Sequence, residues 1–244
     1  MMNLKENERI DDLQRGGLRV IQRADAFRFG TDAVLLSAFS GVRKRDRVCD
    51  LGTGTGVIPL LLYGRENTIT ADALEIQPDM ADMAARSMAL NGLQDVIHVH
   101  AGDMRKIRSL LPHAQYDLCT CNPPYGKAGG TLLNPDASKR LARHEETCDI
   151  TDVTQAAAWV LRNGGRLCCV FPAQRMLELI AAMQKSRIEP KRVRLVHSYA
   201  EKAAHLCLIE GMLDARSGLI VEPPMIIYEK NGQYTEELRR VYGL

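Results

Sequence analysis

The chain has 244 residues, 45% of them hydrophobic and 25% charged, and a formal net charge of +2. This is an ordinary globular composition, and the lack of any apolar run near ~18 residues excludes a transmembrane helix. The first residues, MMNLKENERIDDLQRGG, are polar and contain no apolar core of a secretory signal, so we expect a cytoplasmic protein with no membrane partner. Because the net charge is small, any polyanion must bind a local basic patch.

The seven cysteines form no CxxC pair, and most of them lie inside apolar, strand-like runs. The cysteines in such runs are Cys49, Cys119, Cys121, Cys168 and Cys169. We therefore expect buried, reduced thiols, with no disulfide and no metal site.

Short apolar runs alternate with helical patterns along most of the chain. Strands are predicted at 47–51, 69–75, 96–100, 116–121 and 165–171. Helices are predicted at 31–39, 56–63, 78–91, 151–161 and 173–185. Pro78 stands in the first turn of the third helix and Gly92 follows its end, as is typical of helix termini. This alternation predicts a doubly wound α/β fold with a mostly parallel sheet and helices on both faces.

The pattern changes after Ser186. Further strand-like runs cover 191–198, 204–213 and 224–228, and no helical pattern separates the first two. Neighbouring strands without a crossover helix predict an antiparallel C-terminal hairpin at the edge of the sheet. No shift in composition marks a boundary, so we expect a single domain over 1–244.

A glycine-rich loop follows the first predicted strand. It reads Asp50-Leu-Gly-Thr-Gly-Thr-Gly56, with the spacing G-x-G-x-G, whereas the dinucleotide fingerprint has G-x-G-x-x-G. Glycines here allow a sharp turn and the approach of a ligand to backbone N–H groups at a helix N-terminus; a tight turn without a ligand is the alternative.

The loop resembles motif I of the class I S-adenosylmethionine-dependent methyltransferases. The resemblance implies their seven-stranded, Rossmann-like sheet and the cofactor S-adenosylmethionine, with S-adenosylhomocysteine as product. It also implies that the loop residues bind the cofactor, and those residues are Asp50, Gly52, Gly54 and Gly56.

Acids follow the next two strands. Glu75 ends the second predicted strand, where a carboxylate can accept hydrogen bonds from both ribose hydroxyls of an adenosine. Asp103 follows the third strand and could accept a hydrogen bond from the adenine amino group. The alternatives are a solvated Glu75 and a loop or capping Asp103.

The fourth strand ends in Asn122-Pro-Pro-Tyr125, which resembles the NPPY motif of methyltransferases that modify planar, amide-like nitrogens. The Asn122 side chain and the Pro123 carbonyl can accept hydrogen bonds from the two N–H groups of such a nitrogen and direct its lone pair towards the methyl group. Pro123 and Pro124 stiffen the carbonyl, so little reorganisation is needed in the transition state. Tyr125 can stack on a flat target, which contributes ~1–3 kcal/mol per base.

The NPPY motif leaves the substrate open among adenine, a protein glutamine and the exocyclic nitrogen of guanine. Glutamine-specific enzymes carry a helical domain before motif I, and about 49 residues precede Asp50 here. Guanine-specific relatives tend to have phenylalanine after the prolines, where this chain has Tyr125. A non-catalytic RNA-binding module is a further alternative, against which the intact Asn122 and Tyr125 argue.

The chain as a whole resembles the bacterial tRNA adenine-N6 methyltransferases, which act on the adenosine 3′ of the anticodon of a valine tRNA. The segments that carry this resemblance are 27–36, 143–145, 193–197, 208–211 and 221–228. It implies that residues 1–45 extend over the cofactor and that 46–244 form the catalytic core. It also implies cofactor contacts for Phe29, over the sulfonium, and for Asp32, facing the α-ammonium; core packing and a helix N-cap are their alternatives.

Basic residues in a long segment after NPPY are candidates for binding RNA phosphates, namely Lys127, Lys139, Arg140 and Arg143. A second basic cluster comprises Lys185, Arg187, Lys191, Arg192 and Arg194. Solvated surface charge is the alternative for both sets. His144 and Glu145 are expected to position the chain or the RNA, since methylation of an amino group needs no strong base.

Overall fold

The computed structural model describes residues 4–24, 30–123 and 148–244. The strands are β1 (Glu8–Asp12), β2 (Arg19–Arg23), β3 (Arg47–Leu51), β4 (Thr70–Glu75), β5 (Ile97–Ala101), β6 (Tyr116–Cys121), β7 (Leu161–Pro172), β8 (Ile188–His197), β9 (Ala204–Leu213), β10 (Ile220–Val221) and β11 (Met225–Ile226). The α-helices are α1 (Thr31–Phe39), α2 (Val57–Tyr63), α3 (Pro78–Leu90), α4 (Ile107–Leu110), α5 (Ile150–Val160), α6 (Met176–Lys185) and α7 (Glu236–Tyr242). Short 3-10 turns precede α4 (Met104–Lys106) and α6 (Ala173–Arg175).

Within the described residues, β3 to β11 form a nine-stranded sheet in the order β10-β8-β9-β7-β6-β3-β4-β5, with β11 also paired to β8. The pairs β5-β4, β4-β3, β3-β6 and β6-β7 are parallel, whereas β9 is antiparallel to both β7 and β8. The seven long strands and the antiparallel β8–β9 hairpin confirm the predicted fold. The two-residue strands β10 and β11 extend its edge.

Helices cover both faces of the sheet, as the alternation predicted. The side chains of α1, α2, α3 and α7 pack on one face in a core that includes Val48, Leu118 and Val170. The side chains of α4, α5 and α6 pack on the other face, around Cys49 and Cys119. The five cysteines predicted to be buried free thiols are buried and free.

The segment before β3 contains more secondary structure than the sequence predicted. Besides α1 it contains the antiparallel hairpin β1–β2, which lies against α3. The Ile21 N–H donates to Ser87 Oγ at 2.9 Å, and Arg86 forms an ion pair with Glu8 at 2.5 Å. The hairpin was missed because its short polar strands gain their stability from α3 and not from an alternating apolar pattern.

One boundary and one further helix differ from the prediction. Helix α5 ends at Val160 and β7 already begins at Leu161, four residues earlier than expected, because Leu161 pairs with Tyr116 across a bulge. The C-terminal helix α7 was not predicted. It is held by Arg15 and Arg65, each of which donates to the Val241 carbonyl at 2.9 Å.

A buried network of ion pairs joins the end of α1 to the antiparallel strands. Arg166 on β7 donates to Glu210 Oε2 at 3.1 Å, to Asp46 Oδ2 at 3.2 Å and to the Ser40 carbonyl at 2.7 Å. Arg192 on β8 contacts both oxygens of Glu210 at 3.1 Å. We call these four charged residues the arginine network: Asp46, Arg166, Arg192 and Glu210.

No helix within the described ranges is both long and apolar enough to cross a membrane.

Candidate active site

The carboxyl ends of β4, β3 and β6 meet at one edge of the sheet. Leu51, the last residue of β3, is in register with Leu74 on one side and Cys121 on the other. Neighbouring strands lie about 4.8 Å apart. The residues that directly follow Leu51, Leu74 and Cys121 therefore lie side by side at this edge of the sheet. They are Gly52, Glu75 and Asn122.

The glycine loop is shaped by positive backbone angles and by bonds to β4. Gly52, Gly54 and Gly56 have φ angles of 72°, 58° and 85°, a region that favours glycine. The N–H groups of Gly52 and Thr53 donate to the Leu74 carbonyl at 2.9 and 3.0 Å. The loop is thus folded back onto the strand that ends in Glu75.

The three glycines have different surroundings. A Cβ on Gly54 would meet nothing within 4 Å, and one on Gly52 would meet only Met104 Cε, at 3.9 Å. A Cβ on Gly56 would lie 2.4 Å from Met88 Cε on α3. Gly52 and Gly54 therefore border open space, whereas Gly56 lies against α3, where a Cβ would displace the flexible end of Met88 and its φ of 85° favours glycine.

Asp50 lies at the centre of the site and is fully buried. Its Oδ1 accepts a hydrogen bond of 2.6 Å from Thr120 Oγ1, across the β3–β6 pair. Its Oδ2 and the nearby Thr53 Oγ1 are buried and complete no hydrogen bond with the described residues.

The charge of Asp50 is sensitive to this environment. Burial raises the pKa of Asp50 to about 7, and the Glu75 carboxylate raises it further. The Thr120 hydroxyl and the nearby Thr53 hydroxyl act in the opposite direction and lower the pKa. Asp50 is therefore a carboxyl group whose protonation changes near neutral pH.

Glu75 is 4% exposed and is held by two backbone groups. Its Oε2 accepts from the Gly54 N–H at 2.8 Å, and its Oε1 accepts from the Gln77 N–H at 2.9 Å. The solvated alternative for Glu75 is therefore wrong. A carboxylate has about four acceptor sites, so two remain for a ligand.

Asp103 caps the turn at Met104–Lys106 by accepting from the Arg105 N–H at 2.9 Å. It also forms an ion pair of 2.5 Å with the Arg105 guanidinium, which lowers its pKa below the ordinary value. The capping alternative is thus present in the structure. A contact of Asp103 with adenine stays a prediction.

Asn122 and Pro123 follow β6 at the same edge; Asn122 is half-buried and Pro123 is buried. The remaining residues predicted for the substrate and for the cofactor's sulfonium lie outside the described residues. They are Phe29, Pro124, Tyr125, Lys127, Lys139, Arg140 and Arg143, together with His144 and Glu145.

Asp32 lies in the first turn of α1, and the N-cap of that helix is Gly30, so the N-cap alternative for Asp32 is wrong. Burial lowers the pKa of His205 on β9, and the Asp32 carboxylate acts in the opposite direction. The next residue of β9, Leu206, pairs with Pro172 at the end of β7. Asp32 therefore lies near the same edge as Asn122, on its β7–β9 side.

Sequence reasoning missed Thr53 and Thr120, whose hydroxyls lie beside Asp50. No sequence signal connected Thr120 to Asp50, since that contact depends on the register of β3 and β6.

The second basic cluster is used largely within the protein. Arg187 pairs with Asp214 at 2.5 Å, Arg194 with Glu237 at 2.6 Å, and Lys191 donates to the Arg216 carbonyl at 3.0 Å. Arg192 belongs to the arginine network and also pairs with Glu222 at 2.8 Å. These four residues are therefore weak candidates for binding an external polyanion.

Within the described ranges, no group of three or more His, Cys, Asp or Glu side chains is placed to hold a metal ion.

Comparisons with known proteins agree with this geometry. The family model of the methyltransferase small domain matches residues 24–193. A tRNA1(Val) (adenine(37)-N6)-methyltransferase of Tolumonas auensis is 32% identical, covering 87% of this chain and 86% of the relative. A protein of the same name from Porphyromonas gingivalis is 31% identical, covering 90% and 89%. These matches confirm the resemblance read from the sequence.

A solved structure of a predicted O-methyltransferase from Agrobacterium tumefaciens superposes with a TM-score of 0.71 and 22% identity, covering 87% of this chain and 95% of that one. At this identity the likeness supports the fold alone.

Proposed function

Because the chain belongs to the methyltransferase small domain family, we propose that it transfers a methyl group from S-adenosylmethionine to the N6 of an adenine in tRNA. The adenosine 3′ of the anticodon of a valine tRNA is the proposed target. The observation that carries the proposal is the register of β3 and β6, which brings Asn122 beside the glycine loop and the buried Asp50. With tRNA as its substrate, the protein would act in the cytoplasm.

The residues present fit S-adenosylmethionine. Asp50 Oδ2 and Thr53 Oγ1 are buried polar atoms that need a partner, and Gly52 and Gly54 leave open space beside them. A carboxyl group that meets no cation among residues 4–24, 30–123 and 148–244 suits a ligand that carries an ammonium group and a sulfonium. Glu75 retains acceptor sites for ribose hydroxyls.

Other contacts extend this assignment. We assign Asp103 to the adenine amino group, Asp32 to the α-ammonium and Phe29 to the sulfonium region. Residues 1–45 would cover the cofactor, and the approach of Gln22 Nε2 to Thr55 Oγ1 of the glycine loop, at 3.5 Å, supports this. Gly56 would act indirectly, by letting α2 begin where α3 packs.

The cofactor, when bound, supplies an electrophilic methyl group. The protein's part is to prepare the adenine amino group, whose lone pair is delocalised into the ring. Asn122 Oδ1 and the Pro123 carbonyl would accept its two N–H hydrogens and favour a tetrahedral nitrogen. Because both acceptors follow a buried strand, their positions are set before the substrate binds.

The names of the relatives support tRNA as the substrate. A flipped base would stack on Tyr125, and its flanking phosphates would be bound by Lys127, Lys139, Arg140 and Arg143. Neutralising these four residues should weaken tRNA binding and flatten its dependence on salt, with little change in affinity for the cofactor. An unchanged salt slope would assign tRNA binding to another surface.

The decisive experiment is methyl transfer from labelled cofactor to total tRNA of a strain that lacks this protein, with nucleoside analysis. We expect N6-methyladenosine. N2-methylguanosine, or label on a protein glutamine, would replace the proposed substrate with one of the alternatives. Binding of tRNA without any transfer would indicate a non-catalytic RNA-binding module.

Asn122→Ala tests the proposed chemistry. Loss of one oriented transition-state acceptor should reduce the rate about 10²–10³-fold, while calorimetry shows nearly unchanged binding of S-adenosylhomocysteine. Asn163→Ala, at an exposed position in β7, is the matched control and should behave as wild type. Near-normal turnover of Asn122→Ala would contradict the mechanism.

A further inference from the structure

Thr120 stands two residues before Asn122 and is fully buried. Its side chain lies on the same face of the sheet as that of Asp50, with which it is in register. The 2.6 Å hydrogen bond from Thr120 Oγ1 uses one carboxyl oxygen of Asp50, and the other remains without a partner among the described residues. The hydroxyl thus fixes which oxygen is available to a ligand.

The remaining surroundings of Asp50 do not favour its charged form. Among the described residues, the charge that acts on Asp50 is that of Glu75 on β4, an acid that raises its pKa further. The thiols of Cys121 on β6 and Cys169 on β7 carry no charge near pH 7, because burial raises the pKa of both. The hydrogen bond that Thr120 donates to the carboxylate, with the Thr53 hydroxyl nearby, is therefore what supports its ionisation.

We propose that Thr120 is a positioning residue of the cofactor site: its hydroxyl holds Asp50 ionised and oriented, so that Oδ2 can accept a hydrogen bond from the cofactor. The proposal rests on the proposed function, because it requires a cofactor in this pocket. Since β6 carries both Thr120 and Asn122, the same bond ties the cofactor-binding strand to the strand that holds the target nitrogen.

The test is binding of S-adenosylhomocysteine, measured by calorimetry between about pH 5.5 and 9.5, so that a midpoint one to two pH units above 7 falls inside the range. In wild type the affinity should rise with pH through a midpoint near 7, as Asp50 ionises. Thr120→Val removes the donor with little change in volume. A hydrogen bond to a charged group corresponds to roughly one to two pH units, so the midpoint should rise by that amount and the affinity at pH 7 should fall about tenfold or more.

Three variants separate positioning from packing. Thr120→Ser keeps the hydroxyl and should restore the wild-type midpoint. Thr154→Val removes a buried hydroxyl from α5 that bonds the Thr151 carbonyl and Ser186 Oγ and not Asp50, and should leave the midpoint unchanged. Asp50→Asn removes the titrating group, so the pH dependence assigned to Asp50 should disappear, and adding Thr120→Val should then not change the pH profile. The other ionisable groups near the site are the same in every variant, so differences between variants report on Asp50.

If Thr120→Val binds more weakly at every pH with an unmoved midpoint, the residue only packs and the inference is overturned. If Thr120→Val does not fold, Thr120→Ser and Asp50→Asn still decide. A shifted midpoint in the serine variant, or an unchanged pH profile in Asp50→Asn, contradicts the proposal. If wild type itself does not bind S-adenosylhomocysteine, the proposed function fails together with the role of Thr120. If wild type binds but the midpoint of Thr120→Val does not move, only the role of Thr120 fails.

Discussion

Two buried acids on β-strands of the same sheet have opposite surroundings. Glu210, in the arginine network, is 6% exposed and is contacted by both Arg166 and Arg192. Burial would raise the pKa of Glu210, but its bonds to these arginines outweigh burial and the pKa lies below its ordinary value. Asp50 is also buried, but the polar groups that act on it among the described residues are two hydroxyls and an acid, and its pKa is raised to about 7.

We interpret this difference as one between an acid that stabilises the fold, Glu210, and an acid that is proposed to bind a ligand, Asp50. A buried charge with complete partners joins elements of the fold, here the end of α1 with β7, β8 and β9. A buried carboxyl with a free oxygen is unfavourable by itself and becomes favourable only when a partner arrives, which is why such groups concentrate at functional sites. The predictions below test this distinction.

The largest effect is expected from Arg166→Met. It leaves Asp46 and part of Glu210 buried without a cation, and should lower the free energy of unfolding by about 3–5 kcal/mol. Urea unfolding measures this, and the folded fraction should bind S-adenosylhomocysteine normally. Arg162→Met removes a largely exposed arginine from the same strand, paired with Asp117, and should cost less than about 1 kcal/mol. Equal stability of the two variants would contradict a structural role for the network.

Asp50→Asn should have the opposite effect on stability. A carboxyl whose pKa rises from 3.8 unfolded to about 7 folded destabilises the folded state increasingly as pH rises through that window. The asparagine variant escapes this loss, so the ligand-free protein should be about 1–3 kcal/mol more stable than wild type at pH 8, with the difference vanishing towards pH 4.

Thermal unfolding at both pH values tests the sign, and calorimetry should show that the stabilised variant binds S-adenosylhomocysteine at least tenfold more weakly. A variant less stable than wild type at pH 8 would mean that Asp50 has a partner that stabilises its charge.

Glu75→Gln should have a smaller effect, on both stability and binding. One amide oxygen replaces two carboxylate oxygens, so one of the bonds from the Gly54 and Gln77 N–H groups is lost, at about 1.5–3 kcal/mol for a charged acceptor. Affinity for S-adenosylhomocysteine should fall at least tenfold. Glu66→Gln is the matched control, since exposed Glu66 likewise accepts from the N–H two residues later, that of Thr68. An equal response of both variants would remove Glu75 from the site.

The smallest effect is expected from Arg194→Ala. Its ion pair with Glu237 is partly exposed, so unfolding free energy should change by about 0–1 kcal/mol. Because Glu237 already neutralises Arg194, tRNA affinity and its salt slope should stay close to wild type. A marked loss of tRNA binding would return the second basic cluster to the RNA surface.

Much of the fold followed from local patterns. The alternation of apolar runs and helical periods predicted a mostly parallel sheet with helices on both faces, and Pro78 and Gly92 marked the ends of α3. The β1–β2 hairpin and α7 were not predictable in this way, because their stability comes from distant partners: Ser87 and Arg86 for the hairpin, and two arginine side chains for the helix.

For the site, the sequence by itself determined the glycine loop, the acid at the end of β4 and Asn122 at the end of β6, because backbone turns and strand ends are specified by neighbouring residues. Only the tertiary structure decided how these groups are used. Register placed Thr120 against Asp50, and Gly56 was placed against α3. Folding brought arginines to Glu210, whereas among the described residues it brought hydroxyls and an acid to Asp50. These contacts join residues far apart in the chain, and a buried charge depends on all the neighbours that folding brings to it.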